Sequence, residues 1–130
     1  VRFAGYAALF DRIDRGGDVV RPGAFGRSLG RGAGAVPLLW QHDPARPVGR
    51  IEYLREDGRG LRVIARLSGG AAGRAAAALL KDGRVAGLSF GYRVRKSSGS
   101  KPRTLEDVEL VEISLVSVPM QPKARVHAVD

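Results

Sequence analysis

The 130-residue chain contains no cysteine, which excludes disulfide cross-links, thiol catalysis and zinc–thiolate sites. That absence suits a reducing cytoplasm. No run is long and apolar enough to span a bilayer, and no signal-peptide pattern opens the chain at Val1. A start methionine or a longer N-terminal piece is expected ahead of that valine. Aromatic residues are thin, 6% of the total and mostly at apparent core positions, which argues against recognition of nucleic acid by base stacking. Acidic residues number 13 against 22 basic ones, for a net charge of +9. Such a charge favours anionic partners, but the basic residues are scattered along the sequence rather than clustered among aromatics. Arginine with abundant alanine and glycine also fits a bias in genomic base composition. Only two histidines are present, His42 and His127.

What is present points to one compact domain spanning residues 1–130. A chain of this length buries roughly two-thirds of its unfolded surface, enough for one core without cross-links. Arg2 to Phe10 reads as a first strand and Asp11 to Gly17 as a polar loop. In that region Asp11, Asp14 and Asp18 have the wrong spacing for an EF-hand, so a solvated turn is expected and no metal site. A short helix is expected from Pro22 to Leu29, then the glycine-rich 30–34 stretch. Val36 to Gln41 is a buried strand ending at Asp43-Pro44. Val48–Leu54 and Leu61–Leu67 pair as strands through the hairpin signal Glu56-Asp57-Gly58-Arg59-Gly60. Ala71 to Lys81 is one alanine-rich helix closed by Asp82-Gly83. Ser97 to Lys101 has linker composition. Six or seven short strands with one good helix predict a mainly β, closed or nearly closed barrel with peripheral helices.

The most informative stretch is Gly87-Leu88-Ser89-Phe90-Gly91-Tyr92. Alternation along a strand puts Gly87, Ser89 and Gly91 on one face and Leu88, Phe90 and Tyr92 on the other. Glycines flanking a serine leave room for a ligand or another backbone. A nucleophile and a crowded strand with an incidental serine both fit. A serine nucleophile needs a base, usually imidazole, and a group to orient it. His127 is too near the C-terminus to be a good candidate. His42 leaves the buried strand Val36–Gln41, as a core residue or as a base at the lip of a cleft. The third group follows from cost. Glu112 lies inside the apolar run Val108 to Val118, with Leu110, Ser114 and Val116 on its own face. A carboxylate buried there needs a partner, and His42 is the obvious one. Glu106, Asp107 and Glu109 lie nearer the polar entry of the strand and fit solvated charges. Arg93 and Arg95 share the Ser89 face further along and are candidates for substrate contact, or a solvated strand end.

These segments together resemble the prohead proteases of tailed phages and gene transfer agents, the serine proteases that mature a capsid. The resemblance is carried, in order, by Gly5-Tyr6-Ala7, Gly17-Asp18-Val19-Val20-Arg21-Pro22-Gly23-Ala24-Phe25, Leu38-Leu39-Trp40-Gln41-His42-Asp43, Gly60-Leu61-Arg62-Val63, Gly87 to Tyr92 and Leu110 to Pro119. No one segment is specific, but the ordered set is. The resemblance implies a herpesvirus-protease-like fold with His42 and Ser89 catalytic. Glu112 as third member rests on burial as much as on likeness, since the herpesvirus enzymes use a second histidine. Pro119-Met120-Gln121-Pro122 replaces the Pro-Ala-Asn-Pro common in relatives. The implied activity is a serine endopeptidase needing no cofactor. Its substrate would be the scaffold segment of a major capsid protein precursor, and itself, within the assembling prohead in the bacterial cytoplasm. Self-association as a dimer is left open, nucleic acid is an incidental partner, and no membrane is involved. Two other classes stay open, a non-catalytic capsid component keeping this fold and a small basic barrel that binds nucleic acid.

Overall fold

Alternating apolar residues carry the chain into eight strands of one sheet in the computed structural model, which describes residues 1–130. They are β1 (Arg2–Leu9), β2 (Asp18–Val20), β3 (Pro37–Trp40), β4 (Asp43–Glu56), β5 (Gly60–Leu67), β6 (Gly87–Ser98), β7 (Arg103–Val116) and β8 (Val126–Val129). Helices α1 (Gly26–Leu29) and α2 (Ala71–Lys81) and a 3-10 turn at Ala33–Ala35 complete the chain. The wall of the sheet runs β6-β7-β3-β4-β5-β1, with β2 and β8 as short additions beside β7 and β1. It is the mainly β, barrel-like architecture that the sequence predicts, with eight strands rather than six or seven because β2 and β8 are too short to carry a clear alternation.

The wall curls into a half-barrel, and the segment 124–126 bridges its two ends. Tyr6 N–H donates to Arg125 C=O at 3.1 Å on the β1 side, while Leu88 N–H donates to Ala124 C=O at 2.9 Å on the β6 side. Inside the curl, Phe3, Phe25, Leu38, Leu61, Leu88, Leu105, Leu110, Ile113 and Leu115 are fully buried. Burial of each such side chain contributes about 1.5–3 kcal/mol, so this interior is what holds the strands in place. α2 lies over β4 and β5 and turns Ala76 and Leu80 inward. No helix is long and apolar enough to cross a membrane.

β7 positions everything that follows. Along one edge it pairs antiparallel with β6; along the other it pairs parallel with β2 near Arg103–Leu105 and with β3 near Ile113–Leu115. Between those two partners its backbone would be unpaired, and the α1 region fills the gap. Val108 N–H donates to Ala24 C=O at 3.0 Å, and the Ser28 hydroxyl accepts from Leu110 N–H at 2.9 Å. A bulge at Val111 lets Tyr92 pair with Leu110 while Gly91 pairs with Glu112. That extra residue corrects the expected face assignment, because Leu110 turns into the core with Ile113 while Glu112 and Ser114 share the outer face.

Three other expectations change. Asp43-Pro44 does not end a strand but starts β4, and β6 continues through the linker-like serines to Ser98. Asp14 and Asp18 are buried rather than solvated. Asp14 accepts from Gly16 and Asp18 N–H, and Asp18 holds Arg103 bidentately at 2.8 and 2.9 Å and accepts from Tyr92 Oη at 3.0 Å. The Arg103 guanidinium holds the Asp18 carboxyl below its usual range, and burial pushes the Tyr92 hydroxyl up to about 12. This ion pair ties β2 to the start of β7. Gln121, in the departure from the common Pro-Ala-Asn-Pro, is buried and its amide clamps the backbone of Leu9.

Candidate active site

β3 and β4 are joined by a two-residue turn made of Gln41 and His42, with Trp40 paired to Asp43. Both residues have positive φ, +50° and +62°, as a tight hairpin turn of the primed type requires. Such a turn normally takes Asn-Gly. Here two larger side chains adopt it, at about 1–3 kcal/mol of backbone strain each. Contacts to β7 hold them there. Gln41 N–H donates to Leu115 C=O at 2.9 Å, its side-chain amide pairs with Ser117, and His42 N–H donates to Ser114 Oγ at 3.0 Å.

The turn delivers the His42 imidazole to Glu112, with Nδ1 against Oε1. Glu112 is 7% exposed, so its charge needs the partners it has. Its second oxygen, Oε2, accepts from the Ser114 hydroxyl at 2.6 Å. Ser114 is thus a junction, accepting from the backbone of His42 and donating to the carboxylate that His42 contacts. The Glu112 hydrogen bond raises the His42 pKa above the ordinary 6.5, against the opposing effect of burial. A proton on Nδ1 directed at Glu112 leaves Nε2 as the free, basic nitrogen.

Ser89 lies directly across from Ser114 in the β6–β7 ladder, and Gly91 directly across from Glu112. Such pairs have Cβ atoms about 4.5–5.5 Å apart, so Ser89 is an immediate neighbour of the junction. Ser89 is only 6% exposed and its hydroxyl makes no hydrogen bond within the protein, yet no buried polar side-chain atom lacks a partner. The hydroxyl therefore reaches solvent.

Of the two uses the sequence suggests for the glycines beside Ser89, a ligand or another backbone, Gly87 serves the second, and Gly91 makes room for a side chain. A Cβ on Gly91 would stand 2.5 Å from Glu112 Oε1, and one on Gly87 would stand 2.7 Å from Val116 C=O and 2.8 Å from Pro119 Cδ. They make room for the protein itself. Gly91 admits the carboxylate, and Gly87 admits the chain leaving β7.

His42 and Glu112 line a groove of about 430 Å³ with Pro37, Leu39, Pro44 and Arg93. Arg93 also pairs with Glu109 at 3.1 Å. Arg95 is not part of the groove wall and is held by Glu109 and Asp107 at 3.3 and 3.7 Å. Glu109 faces these arginines rather than His42. His127 stands on β8, exposed, where Nε2 meets Arg62 Nη1 at 2.7 Å. Ser114 is the residue whose place in the site the sequence reading missed. Its signal was present, since it lies two residues beyond Glu112 and so on the same strand face.

The profile of a family described as caudovirus prohead serine protease matches residues 1–130. The prohead protease of enterobacteria phage HK97 is 33% identical over 132 residues, covering 97% of this chain. The chain spans 59% of that relative's length. Among solved structures, the bacteriophage T4 capsid assembly protease superposes with a TM-score of 0.70 at 15% identity, over 88% of this chain and 80% of its own. KSHV protease, solved with a hexapeptide phosphonate inhibitor, also gives 0.70, at 14% identity over 99% and 65% of the two chains. Varicella-zoster virus protease gives 0.57 at 16% identity, over 97% and 62%. At these identities the three structures establish the fold as herpesvirus-protease-like.

Proposed function

The chain belongs to the caudovirus prohead serine protease family, and we propose on that premise that it is a serine endopeptidase of capsid maturation. Its substrate is the scaffold segment of a phage-type major capsid protein, cut inside the assembling prohead in the bacterial cytoplasm. Self-cleavage at exposed chain ends accompanies this activity. The observation that carries the reading is the contact of His42 Nδ1 with buried Glu112, beside a solvent-reaching Ser89 hydroxyl with no other partner.

In this mechanism Ser89 Oγ attacks the scissile carbonyl while His42 Nε2 takes its proton. The imidazolium is stabilised by Glu112, whose own position is fixed by Ser114. Collapse of the tetrahedral adduct transfers the proton from Nε2 to the leaving amine and leaves an acyl-Ser89 ester. Water, deprotonated by His42 in turn, hydrolyses that ester. Arg93, on the groove wall, contacts the bound peptide, while Arg95 supports it through their shared partner Glu109.

Co-expression with the capsid precursor tests the proposal. Wild type should remove the scaffold segment. Ser89→Ala, which deletes the attacking atom without touching a hydrogen bond, should lose on the order of a million-fold in rate and leave the precursor intact. Equal processing by wild type, Ser89→Ala and His42→Ala would show that this chain is not the maturation protease.

A further inference from the structure

A cavity of about 550 Å³, larger than the His42 groove, shares no lining residue with it. Basic residues that look scattered in the sequence converge on it, namely Arg12, Arg59, Arg62, Lys123 and Arg125. They arrive from the loop after β1, the β4–β5 turn, β5 and the segment leading into β8. None of the five forms an ion pair. Elsewhere on the sheet Arg50, Arg66, Arg93, Arg95 and Arg103 each meet a carboxylate. No acidic side chain lines the cavity. Asp57, on the neighbouring turn, is already engaged by the Tyr6 hydroxyl and by Arg59 and Gly60 N–H. Five basic residues without an ion pair are therefore gathered at one concavity, while others such as Arg55 and Arg74 stand apart from it.

Two of the cations are positioned in advance. The guanidinium groups of Arg59 and Arg62 stand 5.4 and 5.7 Å from the centroid of Tyr6. Arg62 also donates to His127 Nε2 at 2.7 Å. Arginine presents a planar fork of donors suited to phosphate and carboxylate oxygens.

We propose that this cleft binds a compact oligophosphate, the phosphate chain of a nucleotide or of inorganic polyphosphate. Charge density selects this ligand. The volume corresponds to a sphere roughly 10 Å across, within the usual range of small-molecule sites. An extended acidic peptide presents same-face carboxylates only about every 7 Å, too sparse to meet five cations there. An acidic helix turns carboxylates toward one side only at every third or fourth residue, again too sparse for five cations. A strand of nucleic acid carries a single charge per nucleotide, and the Tyr6 ring is already occupied by two guanidinium groups and His127. Linked phosphoryl groups place several charges within one short chain, each with oxygens for the arginine forks.

Calorimetric titration of the purified protein at low salt with sodium tripolyphosphate, ATP, an oligoglutamate peptide and a short single-stranded oligonucleotide tests the proposal. Tripolyphosphate should bind at one site and weaken as salt is raised. Arg12→Glu and Lys123→Glu, whose wild-type side chains make no hydrogen bond or ion pair to lose, should each weaken it on the order of tenfold. Arg74→Glu, an exposed and unpaired arginine on α2, should leave it unchanged. ATP matching tripolyphosphate assigns the site to the free chain, and tighter ATP assigns it to a nucleotide; either upholds the proposal. It is overturned if tripolyphosphate does not bind, if the Arg74 variant weakens binding as much as the cleft variants, if the cleft variants bind normally, or if the peptide or oligonucleotide binds more tightly.

Discussion

Replacing Gly91 by alanine separates two roles for the glycine beside the proposed nucleophile. The added methyl would stand 2.5 Å from Glu112 Oε1, the oxygen that meets His42, and 3.1 Å from both Cγ and Cδ of the same side chain. Ordinary contacts begin near 3.4 Å, so the carboxylate must retreat by about 1 Å. A misplacement of that size costs about a hundredfold in rate, and complete loss of the orienting carboxylate about ten-thousandfold. Gly91→Ala should therefore lower kcat by roughly 10²–10⁴ with little change in KM. Overpacking costs about 1–3 kcal/mol, within the roughly 5–15 kcal/mol of a typical domain, so the variant should fold. Single-turnover cleavage of the capsid precursor, paired with thermal denaturation, reads both effects. The decisive arm combines Gly91→Ala with Glu112→Ala. With no carboxylate to displace, the methyl should cost nothing further, and the double variant should match Glu112→Ala alone. If the two losses instead multiply, or if Gly91→Ala raises KM at unchanged kcat, Gly91 clears space for substrate and the reasoning fails.

Glu112→Gln should lose on the order of a thousand-fold or more in kcat, while Glu109→Gln stays near wild type because it faces Arg93 and Arg95; reversed results would make Glu109 the orienting group. Ser114→Ala strands the His42 N–H and frees Glu112 Oε2, so steady-state kinetics should show a lower kcat and melting a loss of about 1–3 kcal/mol. Wild-type kcat in a folded Ser114→Ala protein would remove Ser114 from the site's machinery. The base must be unprotonated and the His42 pKa is raised by Glu112, so kcat/KM should climb with pH through a midpoint above 6.5. In Glu112→Gln that midpoint should fall, and an unmoved midpoint would mean that the limb reports another group. The same shift contributes stability that is complete below pH 6.5 and lost as pH rises through the raised pKa, so the two proteins' melting temperatures should converge at alkaline pH.

The elements most legible in the sequence are those fixed by periodicity. The helix from Ala71 to Lys81 and the strand from Leu61 to Leu67 have the expected ends, give or take a residue, because apolar spacing and glycine stops act locally. Glu112 was identifiable because a carboxylate amid valines and leucines has to find a partner, and it meets His42. What stayed hidden depends on non-local pairing. The Gln41-His42 turn carries no Asn-Gly signal, because contacts to β7 rather than intrinsic preference hold both residues at positive φ. The bulge at Val111 also left no mark, so strict alternation placed Leu110 on the face of Glu112. Asp18 looked solvated because its partner Arg103 lies 85 residues away. The gathering of five basic residues at one cleft was hidden for the same reason, since residues distant in sequence converge only after β1, β5 and β8 become neighbours.

The proposed machinery draws one side chain from each of three neighbouring parts of the sheet. Ser89 comes from β6, Glu112 from β7 and His42 from the turn that follows β3. Side chains on a strand alternate with a period of two, so a slip of one residue on β6 or β7 would carry Ser89 or Glu112 to the opposite face. The register therefore fixes the site, and the core beneath it fixes the register. Leu88 and Phe90 flank Ser89 from below, as Ile113 and Leu115 flank Ser114. Only His42 lies outside a strand, and its freedom is removed by the strained turn and by Ser114. Because the same hydroxyl accepts from the His42 backbone and donates to Glu112, movement of the base and movement of its orienting carboxylate are resisted together. A loop long enough to relax Gln41 and His42 would break that coupling. The backbone strain is thus a consequence of holding the imidazole within reach of a carboxylate that belongs to the next strand.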